Sequence, residues 1–273
     1  MYNLSELYYP ITANPAGGGE YLPCRPLLPY IRCFWESAAA AQPRKQQTET
    51  IIPDTCMDII WEWDGENGEA NGIFCGINDT SFEAGQTVQP ASRQRFAIRF
   101  HFWAVHLFAD EPMTDVLNVH VPVEHYFHTF RRELGERLQH AGTMAERIAA
   151  AEVFLLRRLE RAGRSSDGMM NAVHRLLQSK GRVSSGMLED STGISSRQLE
   201  RLFRRHIGLP PKKVADLIRF QNVWLDLYRS PRRPGVMQDM VYAYGYSHQS
   251  HLINNFKKFA GRTPLEALVK ARS

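Results

Sequence analysis

The stretch SSRQLERLFRR, Ser195 to Arg205, brings four arginines and a glutamate together among three large apolar residues. Wound as a helix at about 100° per residue, Arg197, Glu200, Arg201 and Arg204 fall within one arc, and Leu199, Leu202 and Phe203 fall on the other side. The apolar side must pack, so the cationic side faces outward. A guanidinium offers paired donors in a fixed plane, which match the O6/N7 edge of guanine in a way that lysine does not copy. A second stretch of this kind, GYSHQSHLINNFKKFAGRTP, begins at Gly245. There Leu252, Phe256 and Phe259 share one side. Ser250, Asn254 and Lys257 lie opposite, flanked by His251 and Lys258, with Gln249 near the N-terminal tip.

Both stretches need an element behind them, and the sequence supplies one each time. Upstream of the first, VSSGMLEDSTG predicts a short helix capped by Ser184 or Ser185, a turn at Gly193, and a cap from Ser195 or Ser196 for the next helix. Upstream of the second, VMQDMVYAY predicts a helix ending before Gly245, with Ser247 as the cap of the helix that follows. Gly261 ends that helix and Pro264 suits the first turn of another. Helix, glycine turn and capped helix is the helix-turn-helix pattern, whose second helix reads base edges with its N-terminal residues foremost. Between the two copies, KKVADLIRFQNVWLDLYRS carries Val214, Leu217, Ile218, Val223, Leu225 and Leu227 and predicts a long connecting helix. Such a link could hold two readers about one DNA turn apart, ~34 Å, against double-stranded DNA.

Charge is distributed to match. Residues 164–273 hold 19 Lys+Arg and 8 Asp+Glu, a balance of +11, while residues 1–163 hold 14 and 21, a balance of −7. The basic third is the candidate polyanion binder. At 43% hydrophobic and 23% charged residues the chain reads as globular rather than disordered or membrane-embedded. MYNLSELYYPIT has no signal-peptide pattern and no apolar run approaches the ~20 residues of a membrane span, so the expectation is a cytoplasmic protein without a membrane partner. Cys24, Cys33, Cys56 and Cys75 form no CxxC pair, which points to free thiols rather than a zinc ribbon or disulfide scaffold.

The acidic two-thirds changes period along its length. From Thr48 to Phe102, TIIP, MDIIWEW, GIFCGI and FAIRFHFW alternate with polar clusters such as DGENGEANG and read as strands and hairpins. Beyond Val123 the period turns helical: Phe130, Leu134 and Leu138 recur four apart, and Met144, Ile148, Ala151, Leu155 and Leu159 form one stripe over Thr143 to Ala162. That stripe predicts either a homodimer seam or a face packed on the strands of its own domain. RSSDG after Gly163 is the best linker. The expected fold class is therefore α+β in two domains: residues 1–163 mainly β with helices, and residues 164–273 all-α with two helix-turn-helix units joined by a long helix.

Other groupings in the acidic part are weaker as sites. Asp54, Asp58, Glu62 and Asp64 lie close in sequence, and a solvated strand face accounts for them better than catalysis does. His101, His106, His120, His125 and His128 show neither HxH nor HExxH spacing. No catalytic residue, metal ligand or cofactor is expected. Trp35, Asp58, Trp61, Arg99 and Phe102 are the candidates for contacting a small effector. The alternative is a metal-sensing, thiol-sensing or enzymatic N-terminal domain on the same DNA-binding tail.

GISSRQLERLF, GLPPKKV, RFQ and GYSHQSHLINNFKKFAGRTP together resemble the AraC/XylS-type bacterial transcriptional regulators, over roughly Met170 to Ala271. The resemblance implies a DNA-binding domain of two helix-turn-helix units. It assigns base-facing positions to Arg197, Glu200 and Arg201 in the first and to Gln249, Ser250 and Asn254 in the second. Ser196, Arg204, His251, Lys257 and Lys258 complete the expected DNA-binding set. Asn254 stands where the family often has arginine, Glu189 and Val241 where it has alanine, and Val214 where it has an aromatic. YLPCRPLLPYIRCFWES, PDTCMDIIWEW and FAIRFHFW resemble a sensor-like domain preceding such DNA-binding domains. By analogy with the family this implies a cupin-like barrel or sandwich that binds a small effector and dimerises, with RNA polymerase as a partner if the regulator activates.

Overall fold

The structure is a computed structural model, and it describes residues 3–13, 19–38, 49–64, 70–84, 93–163, 166–230 and 235–272. Among the described residues its first half is built on eight strands: β1 (Glu20–Tyr21), β2 (Ile31–Ala38), β3 (Glu49–Ile51), β4 (Met57–Asp64), β5 (Asn71–Cys75), β6 (Phe82–Ala84), β7 (Arg93–Phe100) and β8 (His120–Pro122). Six of them form an antiparallel sheet in the order β1-β2-β7-β4-β5-β8, and β3 and β6 pair separately. Most of the DGENGEANG cluster lies outside the described residues, but β4 and β5 pair antiparallel on either side of it.

The alternation of side chains across this sheet decides what each face does. Phe34 on β2, Ile59 and Trp61 on β4, Phe74 on β5, and Phe96 and Ile98 on β7 are fully buried on one face. Helices cover that face: α1 (Glu136–His140), preceded by a wider turn over Arg131–Gly135, and α2 (Met144–Arg161). Phe130, Leu134 and Leu138 are all buried there. The α2 stripe turns the same way, with Ala151 and Leu155 buried and Met144, Ile148 and Leu159 packed against the core. It is therefore used within the chain, and the seam reading gives way to the packed one. Thr143 closes α2 with a capping box to Glu146.

The second half is helical throughout its described residues: α3 (Asp167–Gln178), α4 (Ser185–Thr192), α5 (Ser196–His206), α6 (Pro211–Arg229), α7 (Val236–Ala243), α8 (Gln249–Ala260) and α9 (Pro264–Arg272). α6 is the connecting helix, and Val214, Leu217, Ile218, Val223, Trp224 and Leu227 are buried along it. Phe220 and Trp224 pack against Phe256 of α8, tilted and edge-on at centroid distances of 5.0 and 6.0 Å, so the second unit is built directly on α6. The RSSDG linker falls partly outside the described residues, and α3 begins at Asp167. No described helix is long and apolar enough to cross a membrane.

α6 also touches the strand-rich half. Gln221, 1% exposed, accepts the Ile11 N–H at 2.9 Å and donates to the carbonyls of Ile11, at 3.2 Å, and Pro53. The Trp224 indole donates to the Thr12 carbonyl at 2.9 Å, and Lys213 pairs with Asp79.

Candidate nucleic-acid interface

The first unit assembles as its capping residues dictate. Ser184 accepts the Met187 N–H to start α4, Gly193 closes it with φ +68°, and Ser195 accepts the Gln198 N–H to start α5. A positive φ at the turn favours glycine because a Cβ would crowd the residue's own backbone. Glu189, the departure from alanine, clasps the turn: its carboxylate accepts the Ser196 N–H on the far side. Hydrogen bonding to Ser196 holds the Glu189 carboxyl below its ordinary range. Leu199 and Phe203 are buried beneath α5, while Arg197, Glu200, Arg201, Arg204 and Arg205 are exposed above it. Glu200 and Arg204 pair with each other at 2.9 Å, which leaves Arg197, Arg201 and Arg205 as the cations of this surface without an ion pair among the described residues.

The second unit repeats the plan with one correction. Gly245 makes the turn at φ +65°, but α8 is capped by His248 rather than Ser247. The His248 Nδ1 accepts the His251 N–H at 3.1 Å, and the Ser247 hydroxyl instead meets the His251 ring nitrogen at 3.0 Å. An imidazole in its neutral form offers one acceptor nitrogen, so it fills the role usually given to an oxygen. Leu252, Phe256 and Phe259 are buried, and Gln249, Ser250, His251, Asn254, Lys257 and Lys258 are all exposed. Val241, the second departure from alanine, is buried on α7, and Val214 is buried on α6. α6 itself runs 19 residues, roughly 28 Å at the α-helical rise.

A family model described as "Helix-turn-helix domain" matches residues 188–268, spanning both units and the helix between them. Residues 188–268 are an AraC-type helix-turn-helix domain. Upstream of the AraC-type domain, residues 19–122 match a family described as "Domain of unknown function (DUF6597)". No curated protein matches the chain in sequence. Two solved structures of ToxT from Vibrio cholerae, one of them from O395, resemble the chain at 11% identity, with TM-scores of 0.44 and 0.39. Each covers 86% of this chain, and 98% and 97% of ToxT.

In the strand-rich half the five candidate effector contacts separate into two groups. Trp61 and Phe102 are core side chains, 0% and 1% exposed. Trp35, Asp58 and Arg99 meet on the other, half-buried face of the sheet. Arg99 binds Asp58 through Nε at 3.0 Å and Nη2 at 3.2 Å, the Trp35 indole donates to Asp58 at 3.0 Å, and Asp54 lies 3.3 Å from Arg99. Burial works to lower the Arg99 pKa, and the Asp58 and Asp54 carboxylates more than reverse it, so the guanidinium stays charged. Glu62 pairs with Arg95 on the same face. Asp54, Asp58 and Glu62 are thus each tied to an arginine.

The remaining candidates are placed by burial. Cys33 and Cys75 are pushed up to about 12, and burial raises Cys24 and Cys56 as well, opposite to the shift that makes a reactive thiolate. His101 is buried and stacked on Trp103 at 4.4 Å, and burial lowers it to about 3. His120, His125 and His128 are not brought together with it. Among the described residues no three His, Cys, Asp or Glu side chains converge as metal ligands.

Sequence reasoning missed one neighbour of the first unit entirely. Pro112 and Thr114, from the strand-rich half, form a wall of an open cleft of about 680 Å³ whose other wall is Arg197, Glu200, Arg201, Arg204 and Arg205. No local pattern announces a contact spanning some ninety positions of sequence.

Proposed function

We propose that this protein is a sequence-specific transcriptional regulator of bacterial type that reads two short blocks of double-stranded DNA, one with each unit of its AraC-type domain. The observation that carries this reading is the matched pair of exposed polar faces, on α5 and α8, each anchored from behind on one connecting helix. Arg197 and Arg201 are the base-reading groups of the first unit, with Ser196, Glu200 and Arg204 completing its surface. In the second unit Gln249, Ser250 and Asn254 read base edges, where an amide suits adenine, and His251, Lys257 and Lys258 meet phosphates.

The reading extends to the strand-rich half, divided from the DNA-binding half at residues 163/164. It holds a small effector against the sheet face that bears Trp35, Asp58 and Arg99. A half-buried sheet face with apolar and charged groups supports this placement, whereas Trp61 and Phe102 act as the core behind it. A homodimer would use a surface other than the α2 stripe, RNA polymerase is the partner where the regulator activates, and the cytoplasm is the compartment.

The test is Arg201→Ala, measured on a selected site and on single-base variants of it. Loss of a paired base contact costs ~1–3 kcal/mol and relaxes preference at one position. An equal loss on every sequence would instead make Arg201 a phosphate contact and remove the assignment.

A further inference from the structure

The loop that walls the α5 cleft is acidic. It reads DEPMTD, Asp110 to Asp115, and carries three carboxylates within six residues. It is fastened to the far end of the reading helix in two ways, and His106, just upstream of the loop, adds a third contact. The Met113 N–H donates to the Arg205 carbonyl at 2.8 Å, and the Met113 side chain is fully buried. Gly208, at φ +86°, lies so close to the Met113 carbonyl and the Val116 side chain that a Cβ has no room. His106 and His206 stack edge to face at 4.7 Å. On the other side of the loop, Asp110 and Glu111 share a second cleft, of about 610 Å³, with Arg205 and His206.

A helix with its side chains is about 10–12 Å across and the major groove about 12 Å wide, so an inserted helix has phosphates along both flanks. Pro112 and Thr114 stand along one flank of α5, where such a phosphate wall would run. Their neighbours Glu111 and Asp115 are exposed and anionic. Asp115 holds its place at φ +60°, a conformation uncommon for a residue with a Cβ, so the loop has a fixed shape. The loop is itself secured: the Tyr126 hydroxyl donates to the Thr114 carbonyl at 2.8 Å, and Asp110 binds Arg158 and the His128 N–H.

We propose that the 110–115 loop is an autoinhibitory contact that competes with the DNA backbone for the arginine face of α5. It does so by standing in the phosphate track and by setting like charge against the phosphates. Release of Met113 from the end of α5 is then the event through which the strand-rich half controls the first reader. The inference rests on the DNA-binding reading above.

The test uses the full chain and a random-sequence 40-base-pair duplex, with affinity measured at low and high salt. The charge variant Glu111→Gln/Asp115→Asn is compared with wild type and with Glu6→Gln/Glu136→Gln, whose carboxylates lie outside both clefts. The loop variant should bind about three- to tenfold more tightly at low salt, with the gain shrinking as salt screens it, and the remote variant should gain much less. Met113→Ala, which loosens the seat without changing charge, should also tighten binding. Equal affinity for wild type and both loop variants would overturn the proposal and leave the DNA-binding reading standing. Equal gains from the loop and remote charge variants, with none from Met113→Ala, would reduce the effect to net charge and overturn it too. No binding by any of them would overturn both.

Discussion

Gln221 offers the sharpest test of how the two halves are joined. Its side chain is buried on α6 and satisfies three main-chain groups of the strand-rich half, the N–H and carbonyl of Ile11 and the carbonyl of Pro53. Gln221→Leu keeps most of the volume and removes all three partners. A buried N–H without an acceptor costs ~1–3 kcal/mol, and an under-satisfied carbonyl is better tolerated. With partial relaxation of residues 8–13, the local opening free energy at Ile11 should fall by about 2 kcal/mol. At 1.4 kcal/mol per factor of ten, the Ile11 amide should exchange roughly 30-fold faster. Hydrogen exchange with peptides covering residues 4–13 reads this directly. Gln221→Glu is the companion: its carboxylate still accepts from Ile11 but has no donor for the two carbonyls, so Ile11 stays protected while the melting temperature drops. Wild-type exchange at Ile11 in the leucine variant would refute the claim that this amide ties α6 to the N-terminal segment.

Three further outcomes are expected. Lys257→Ala should weaken binding on all sequences and reduce the slope of log affinity against log salt by about one, and an unchanged slope would remove Lys257 from the DNA. Glu189 has a depressed carboxyl, so its clasp on Ser196 is fully present above the ordinary carboxylate range, ~4.3, and is lost only as pH falls through the lower folded value. Exchange at the Ser196 amide should therefore be protected unchanged from pH 8 to pH 5, and Glu189→Ala should expose it at every pH; protection that fades between pH 7 and pH 5 would contradict the assignment. Cys33, Cys56 and Cys75 should alkylate with iodoacetamide at pH 8 at least about tenfold more slowly in the native protein than in urea, and any of these three labelling at the unfolded rate would contradict the burial that raises them.

The legible parts of the fold were those governed by local rules. Both helix-turn-helix units follow from a 3.6-residue apolar period, a glycine turn and a capping side chain, all within about twenty residues. Residue type alone misled at the second cap: Ser247 is the cap expected from the sequence, but the extended backbone at its neighbour His248 makes the histidine ring the cap. β2 hid for a related reason: IRCFWESA has no clean alternation because its pairing with β7 shifts register between Ile31 and Cys33. The α2 stripe was equally ambiguous, since a seam and a packed face share one periodicity.

Long-range partners had no local signature at all. Glu189 looked like a packing irregularity and is a clasp on Ser196. Gln221, an amide in an apolar helix, is explained only by Ile11 and Pro53. The Asp110–Asp115 loop reads as an ordinary solvated turn until Met113 is seen fastened to Arg205. Trp61 and Phe102 illustrate the converse, since an aromatic near a charge reads alike whether it faces a ligand or the core; register decides, placing Trp61 with Phe96 and Asp58 with Arg99.

Selection of genomic DNA fragments by the purified full-length protein, sequenced at two salt concentrations, tests the central claim most directly. The account predicts enrichment of a site with two short, dissimilar blocks about one helical turn apart, retained at the higher salt. Bound DNA without a shared site, lost entirely as salt is raised, would show a polyanion binder that reads no sequence and would contradict it.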